Sequence, residues 1–349
     1  MDPRHFLTSL DWSSAELRDL AVTALRYKAG GHGRIHGGPD FAGQLLGLLF
    51  FNPSVRTRVS CEAAMAKLGG SAAALAAGSD TWNFEERDGV VMDGATQEHV
   101  RELAPVLSGL CAAVGIRRAE KMSGGASADA AGAPWEELRK DAFLHAFARH
   151  ATVPVVNLES NAFHPCQGLA DMATLLELRG EPRGERYVLS WAWHPKALPV
   201  ATPHSQLLAA ADLGMRVTLL RPEGYDLCPE VMGAAQERAE AAGGGLEVTS
   251  DREAALSGAK IVCAKSWGRL DAYGRAPEDA CPEDGLRDEW IVDGAAMART
   301  DDAHFMHCLP IRRNVIATDE VLDSERCAVA QQATNRLWSA AAILARLLG

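Results

Sequence analysis

Apolar residues recur along this chain in two alternating textures. Short unbroken runs over 45–51, 111–116 and 153–158 read as strands buried on both faces, the pattern of a parallel sheet. Between them lie stretches with helical spacing: 13–27, 59–68, a segment opening at Thr96-Gln97-Glu98-His99, 135–150 and 168–178. Ser13 followed by Glu16 fits a capping box, and 71–75 fits a short extra strand. The second half repeats the alternation, with strands over 187–193, 216–220, 246–249, 260–263, 290–292, 305–309 and 327–330 and a last helix over 335–349. The predicted fold class is α/β, two doubly wound parallel-sheet domains with an active-site cleft between them.

Polar residues cluster where the apolar runs stop, which is where open parallel sheets bind ligands. Phe50-Phe51-Asn52-Pro53-Ser54-Val55-Arg56-Thr57-Arg58 joins a strand to a helix. A helix N-terminus carries unpaired N–H donors and partial positive charge, and Arg56 and Arg58 add full charges. These residues alone leave two readings open: a phosphate site, or an ordinary Ser54 N-cap flanked by solvated arginines. The spacing is not that of a P-loop. Arg117-Arg118 end the next strand and point toward the same crevice. His164-Pro165-Cys166-Gln167 follows a third strand, with His164 and Gln167 three apart at a helix start, so both can face one ligand. Further strand ends carry His194-Pro195-Lys196, Lys265-Ser266-Trp267 and His307-Cys308-Leu309-Pro310, followed by Arg312-Arg313-Asn314. Cationic Lys265 and Arg312 suit a carboxylate substrate. Trp82 on a polar loop reads as a residue tucked against its own domain before it reads as an interface anchor or a lid.

Composition narrows the partners. The 349 residues suffice for two domains with proper cores, and 47% hydrophobic with 23% charged is ordinary globular usage. A formal charge of −11, from 35 Lys plus Arg against 46 Asp plus Glu, argues against nucleic acid and makes any anion site a local positive pocket. No apolar run reaches the length of a membrane span, and the first residues lack a signal-peptide core, so no membrane partner is expected. The eight cysteines include no C-x-x-C pair, which argues against zinc and fits a reducing cytoplasm. His32 and His36 have metal-like spacing but sit in a Gly-rich loop without fixed geometry, so no metal is expected. Residues 123–134, rich in Gly, Ala and Ser, read as a flexible surface loop.

Taken together, Ser54-x-Arg56-Thr57-Arg58, His164-Pro165-x-Gln167 and His307-Cys308-Leu309-Pro310 resemble, in order and spacing, the three main motifs of the carbamoyltransferases. The likeness covers nearly the whole chain. Phe50 to Ser54, Val91-Met92-Asp93-Gly94, Ala264-Lys265-x-Trp267 and Met306 to Asn314 are similar to the N-acylornithine branch. The resemblance implies a carbamoyltransferase fold with a carbamoyl phosphate domain over 1–160, an acylornithine domain over 161–334, and helix 335–349 packed back on the first. It implies that Ser54, Val55, Arg56, Thr57, Arg117, His164, Gln167, the Leu309 backbone and Arg336 bind carbamoyl phosphate. Gln97, Glu159, Lys265, Cys308 and Arg312 would hold the acylornithine, with Arg56, Arg117, His164 and Cys308 the residues of the chemistry. Trp82 would reach into a neighbouring subunit's carbamoyl phosphate site in a homotrimer. The expected partners are therefore carbamoyl phosphate, an N-acylornithine and two further copies of the chain, with no cofactor, and the expected pathway is arginine biosynthesis.

The acyl group follows from two positions. The acetyl-specific branch has Glu at Gln97 and a carboxylated Lys at Ile316, while the succinyl-specific branch has Pro and Ile there. Removing two negative groups favours a second substrate carboxylate, so the expectation is N-succinylornithine, with N-acetylornithine next and free ornithine after it. The expected reaction is attack of the neutral δ-amine on the carbamoyl carbon, with phosphate leaving and accepting the proton. Cys308 has a positioning role in this scheme. Competing readings are weaker. A dehydrogenase lacks G-x-G-x-x-G, a Ser54–His164 hydrolase lacks the G-x-S-x-G elbow, and an inactive ligand-binding paralogue would not need so complete a set of polar groups.

Overall fold

The computed structural model describes residues 3–31, 33–120, 133–275, 280–283 and 285–349. His32 and most of the 123–134 loop therefore lie outside the described residues. The first half runs α1 (Ser14–Ala29), β1 (Leu45–Phe50), α2 (Val55–Lys67), β2 (Ser71–Ala76), the short strands β3 (Phe84–Glu85) and β4 (Glu98–His99), α3 (Val100–Leu110), β5 (Ala113–Arg117), α4 (Trp135–Leu138), α5 (Ala142–His150) and β6 (Val155–Glu159). The second half runs α6 (Pro165–Arg179), β7 (Arg186–Trp191), α7 (Ala201–Asp212), β8 (Arg216–Leu220), α8 (Pro229–Ala241), β9 (Gly245–Thr249), α9 (Arg252–Leu256), β10 (Ala259–Lys265) and β11 (His304–Met306). Several one-turn helices intervene before a C-terminal helix, Val329–Leu348.

The apolar runs pair as parallel strands. One sheet has the order β2-β1-β5-β6 and the other β11-β10-β7-β8-β9. In both, the chain leaves a central strand in one direction and later returns on that strand's other side. The reversal falls between β1 and β5 in the first sheet and between β7 and β10 in the second. Each reversal opens a crevice at the carboxyl ends of the two strands. The main chain joins the lips of each crevice: Phe51 N donates to Arg117 O at 2.9 Å, and Ala192 N to Lys265 O at 3.0 Å. Every polar group singled out at a strand end in the sequence hangs on one of these lips or the adjoining β6 and β11 ends.

Helix α6 carries the His164-Pro165-x-Gln167 segment across to the second sheet. Gly168 permits its close approach to α7, since a Cβ there would come within 2.8 Å of Ser205 O. Ser205 Oγ accepts from His164 N at 2.8 Å, which ties the start of α6 to α7. The turn before His164 is held by Asp141, a buried carboxylate that accepts from Ser160 Oγ (2.5 Å), Asn161 N (2.8 Å), Asn161 Nδ2 (3.0 Å) and Ala162 N (3.3 Å). The C-terminal helix packs against α1, α2 and α6.

Local details depart from the sequence reading. Residues 290–292 and 327–330 are not strands; each contributes an isolated bridge, Val292 to Ala317 and Cys327 to Phe305. The second of these ends where the C-terminal helix begins, at Val329 rather than 335. Thr96 does not open a helix. Glu98–His99 pairs with Phe84–Glu85, and α3 starts at Val100 with His99 Nδ1 capping Arg101 N at 3.1 Å.

Candidate active site

Both crevices face one cavity of about 230 Å³. Its first wall begins at the N-terminus of α2. Ser54 is the N-cap, with extended backbone and Oγ accepting from Thr57 N at 3.3 Å. Ser54, Arg56 and Thr57 all line the cavity. The Arg56 Nε is buried without a partner among the described residues. Burial lowers its pKa, with Cys308 opposing and then Arg336 and Arg117 adding to the fall. A guanidinium stays charged under such pressure, so the site stores unsatisfied positive charge.

Two more arginines close on the same point from distant parts of the chain. Arg117, at the end of β5, pairs its Nη1 with Glu159 Oε2 and sits 3.5 Å from Thr57 Oγ1, while its Nε has no partner among the described residues. Arg336, from the C-terminal helix, donates to Thr57 Oγ1 at 2.8 Å and to Gln167 Oε1 at 2.9 Å. His164 is buried with its Nε2 3.7 Å from Glu159 Oε2 and its Nδ1 unpartnered among the described residues. Burial, then Arg336, Arg117 and Arg56, push its pKa well below the usual imidazole range. It is therefore a neutral imidazole at pH 7, able to offer one N–H.

The opposite wall comes from the second sheet. Lys265 ends β10 and donates to Ser266 O at 3.0 Å. Cys308 is buried, and burial raises its thiol pKa, with Lys265 opposing. It is a thiol at neutral pH and not an activated nucleophile. Leu309 takes a left-handed φ of 58° ahead of a cis bond to Pro310. Its N–H donates to His307 Nδ1 at 2.9 Å. That bond fixes the His307 proton on Nε2, which is buried, unpartnered among the described residues, and in a residue that lines the cavity. His194, after β7, accepts from Arg312 Nε at 3.1 Å. Ile316, Leu198, Pro199 and Thr202 supply the less polar part of the lining. Three arginines and a lysine against one glutamate make this a cationic pocket in an acidic chain. Among the described residues no group of three or more His, Cys, Asp or Glu is placed to hold a metal ion.

Of the residues the resemblance assigns to the site, Ser54, Arg56, Thr57, Arg117, Glu159, His164, Gln167, Lys265, Cys308, Leu309 and Arg336 line the cavity. Four do not. Val55 turns its side chain to solvent at 75% exposure and can contribute only its backbone. Arg312 is exposed at the rim, joined to the cavity through His194. Trp82 is 64% exposed, which overturns the reading that it tucks against its own domain. Gln97, just before β4, is exposed as well, with its N–H on Asn83 O at 3.0 Å. Arg58 follows the solvated reading left open in the sequence: it turns from the crevice and pairs with Glu62 at 3.1 Å. Arg118 likewise turns outward, to Glu86 and Glu120. His194 and His307 were visible as strand-end histidines but went unassigned; Leu198, Pro199 and Thr202 carried no signal, lying in the turn after β7 and the start of α7.

Residues 4–177 match the family model of the aspartate/ornithine carbamoyltransferase carbamoyl-P binding domain, and residues 200–347 that of the Asp/Orn binding domain. The chain is 42% identical to an N-acetylornithine carbamoyltransferase of Xanthomonas campestris pv. campestris, across 100% of this chain and 99% of the relative. It is 34% identical to an N-succinylornithine carbamoyltransferase of Bacteroides fragilis, across 86% of each. A crystal structure of acetylornithine transcarbamylase complexed with acetylcitrulline superposes with a TM-score of 0.90 at 41% identity, covering 99% of both chains. With both halves matched, and with the cationic cleft falling where those halves meet, the chain belongs to the aspartate/ornithine carbamoyltransferase family of enzymes.

Proposed function

We propose that the protein transfers the carbamoyl group of carbamoyl phosphate to the δ-amine of an N-acylornithine, giving an N-acylcitrulline and phosphate for arginine biosynthesis. The observation that carries this reading is the convergence of Arg56, Arg117, Arg336 and neutral His164 on the N-terminus of α2. A dianionic phosphate fits the helix end and Arg56, whose unpaired Nε is the kind of donor such a ligand satisfies. The carbamoyl oxygen then lies among Thr57 Oγ1, Arg117 and the His164 N–H. These donors are already in place before charge develops, and each is worth roughly 3–4 kcal/mol when it meets an oxyanion.

The substrate amine approaches from the Lys265, Cys308 and Leu309 side. Its lone pair forms the C–N bond, the C–O bond to phosphate breaks, and phosphate takes both that electron pair and the amine proton. No protein nucleophile is required, which suits a Cys308 held as a thiol. Lys265 and the rim residue Arg312 would hold the substrate carboxylate.

The favoured acyl group is succinyl. Ile316 presents a buried apolar side chain, and Gln97 is uncharged, so neither position opposes a second carboxylate. N-Acetylornithine is the second reading, favoured by 42% identity to an N-acetylornithine enzyme against 34% to an N-succinylornithine enzyme. Product assays with ornithine, N-acetylornithine and N-succinylornithine at equal concentration separate them. Fastest turnover of free ornithine would sink the acylornithine assignment.

Trp82 before β3 and, between β3 and β4, Val91 at 77% and Met92 at 37% exposure are apolar side chains turned to solvent, of the kind that dock on another subunit. We place Trp82 and Gln97 in a neighbour's cleft within a cytoplasmic homotrimer. Sedimentation of a fully active monomer would contradict the shared site.

A further inference from the structure

We propose that Asp171, which lies one helical turn behind the cavity, sets which end of the Gln167 amide faces the substrate, and thereby the preference for a carbamoyl NH2 over a methyl group of the same shape. The inference deepens the carbamoyl phosphate reading and rests on it.

Asp171 and Gln167 are each 1% exposed on α6. Asp171 Oδ1 accepts from Gln167 Nε2 at 2.6 Å and from Gln332 Nε2, on the C-terminal helix, at 2.7 Å. On the far side, Gln167 Oε1 accepts from Arg336 Nη1 at 2.9 Å. This orientation is dictated by chemistry. A carboxylate only accepts and a guanidinium only donates, so an amide wedged between them turns its NH2 to Asp171 and its oxygen to Arg336. An amide oxygen has two lone pairs, and Arg336 uses one. The other is available to an N–H in the cavity that Gln167 lines. A carbamoyl NH2 can use it; an acetyl methyl cannot.

A third glutamine completes the arrangement. Among the described residues Asp171 Oδ2 and Gln206 Oε1 both lack partners, although the Gln206 amide lies beside the carboxylate and its Nε2 donates to Cys263 Sγ at 3.2 Å. Turning that amide over gives its NH2 to Asp171 and its oxygen to the thiol, which satisfies both atoms. Three glutamine amides then converge on one acceptor. Burial lifts the Asp171 pKa to about 6, with Gln332, Gln167, Gln206 and Arg336 opposing, so it is a carboxylate at neutral pH. Without that acceptor the buried Gln167 NH2 has nothing to donate to, and the amide is free to turn its NH2 into the cavity.

The test compares dissociation constants for carbamoyl phosphate and acetyl phosphate, which differ by NH2 against CH3, in the wild type, Asp171→Leu and Asp171→Asn. The wild type prefers carbamoyl phosphate. Asp171→Leu is expected to cut that preference about tenfold, the scale of one lost buried hydrogen bond, with acetyl phosphate affinity little changed. Asp171→Asn keeps an accepting oxygen and is expected to keep the preference. An unchanged preference in folded Asp171→Leu overturns the proposal, as does an equal loss in both variants, which would assign the effect to charge. Should the Leu variant not fold, a crystal structure of the wild type with carbamoyl phosphate decides. Gln167 Oε1 at about 3 Å from the carbamoyl nitrogen, with Nε2 still on Asp171, supports it. Gln167 swung away from Asp171 overturns it. A wild type that shows no preference between the two phosphates sinks the carbamoyl phosphate reading itself, whereas a preference that survives in the Leu variant sinks only the role of Asp171.

Discussion

On one wall of the cleft, Thr57, Gln167 and Arg336 are each at most 5% exposed and are locked to one another, with Asp171 and Gln332 behind them. On the other, Lys265 donates to a backbone carbonyl, its one hydrogen bond among the described residues, and Arg312 stands exposed on His194. The contrast fits the work proposed for each wall. A small dianion with a developing oxyanion rewards donors that do not move, because reorganisation during the reaction would forfeit their benefit. A longer second substrate with a variable acyl group rewards side chains that can be exchanged or re-aimed without disturbing a buried network. A family can then keep the first wall and vary the second.

The largest effect is expected from the rigid wall. Arg56→Ala removes a cation that lines the cavity with its Nε free, and should lower kcat by roughly 10²–10³-fold, the cost of losing one preorganised donor. Its fold should persist, since Arg56 forms no ion pair among the described residues and its removal relieves repulsion from Arg336 and Arg117. Steady-state kinetics beside a melting curve checks both halves. Turnover within a few-fold of wild type would show that the two walls do not differ as described.

A second prediction probes the buried scaffold of the same wall. His204, fully buried on α7, lies at Nδ1 2.9 Å from Ala162 O, while its Nε2 accepts from Cys228 N at 3.1 Å. Only the neutral ring with the proton on Nδ1 fits both bonds. Burial lowers its pKa to about 4 from an ordinary 6.5. A depressed imidazole pKa means the unfolded chain binds the extra proton first, so this contribution to stability is complete above about pH 6.5 and is lost as pH falls toward 4. Between pH 7 and pH 5 the loss amounts to about 2 kcal/mol. Asp171 works in the opposite sense, because its raised pKa lets the native state take up a proton near pH 6. Denaturant unfolding of wild type and His204→Gln at both pH values isolates the histidine, since Asp171 is common to the two. Identical pH dependence would show that His204 is not held neutral.

The two walls also differed in how much of them could be read from the chain. Ser54, Arg56 and Thr57 were legible because a strand, a helix start and adjacent arginines form one local object. The fold was legible for the same kind of reason, with apolar runs marking strands buried on both faces. Arg58 was left open although geometry could have decided it: residues two apart on a helix lie about 200° around the axis, so Arg56 and Arg58 cannot serve one crevice. Arg336 was reached only through resemblance. It is 279 positions from Thr57, and nothing in its own helical neighbourhood marks it. The Asp171, Gln332 and Gln206 cluster was invisible, since a buried polar network drawn from separate helices leaves no periodic trace. Residues 290–292 and 327–330 look like strands by composition, yet tertiary pairing grants each only one bridge.

The smallest effect is expected at the exchangeable wall, and it sharpens the contrast most. Arg312 shares its Nε with His194 and is open to water, so any ion pair it makes with substrate is screened. Arg312→Gln should raise KM for the acylornithine by roughly 3- to 5-fold, equivalent to at most about 1 kcal/mol, and leave KM for carbamoyl phosphate and kcat within about twofold. The rise should be larger for N-succinylornithine than for N-acetylornithine if the guanidinium serves a second carboxylate, and equal for both if it serves only the α-carboxylate that the two substrates share. It should also shrink at high salt, as an exposed charge pair does. A kcat loss comparable to that of Arg56→Ala would mean that Arg312 closes onto the reacting atoms during turnover, and the rim would then belong with the rigid wall.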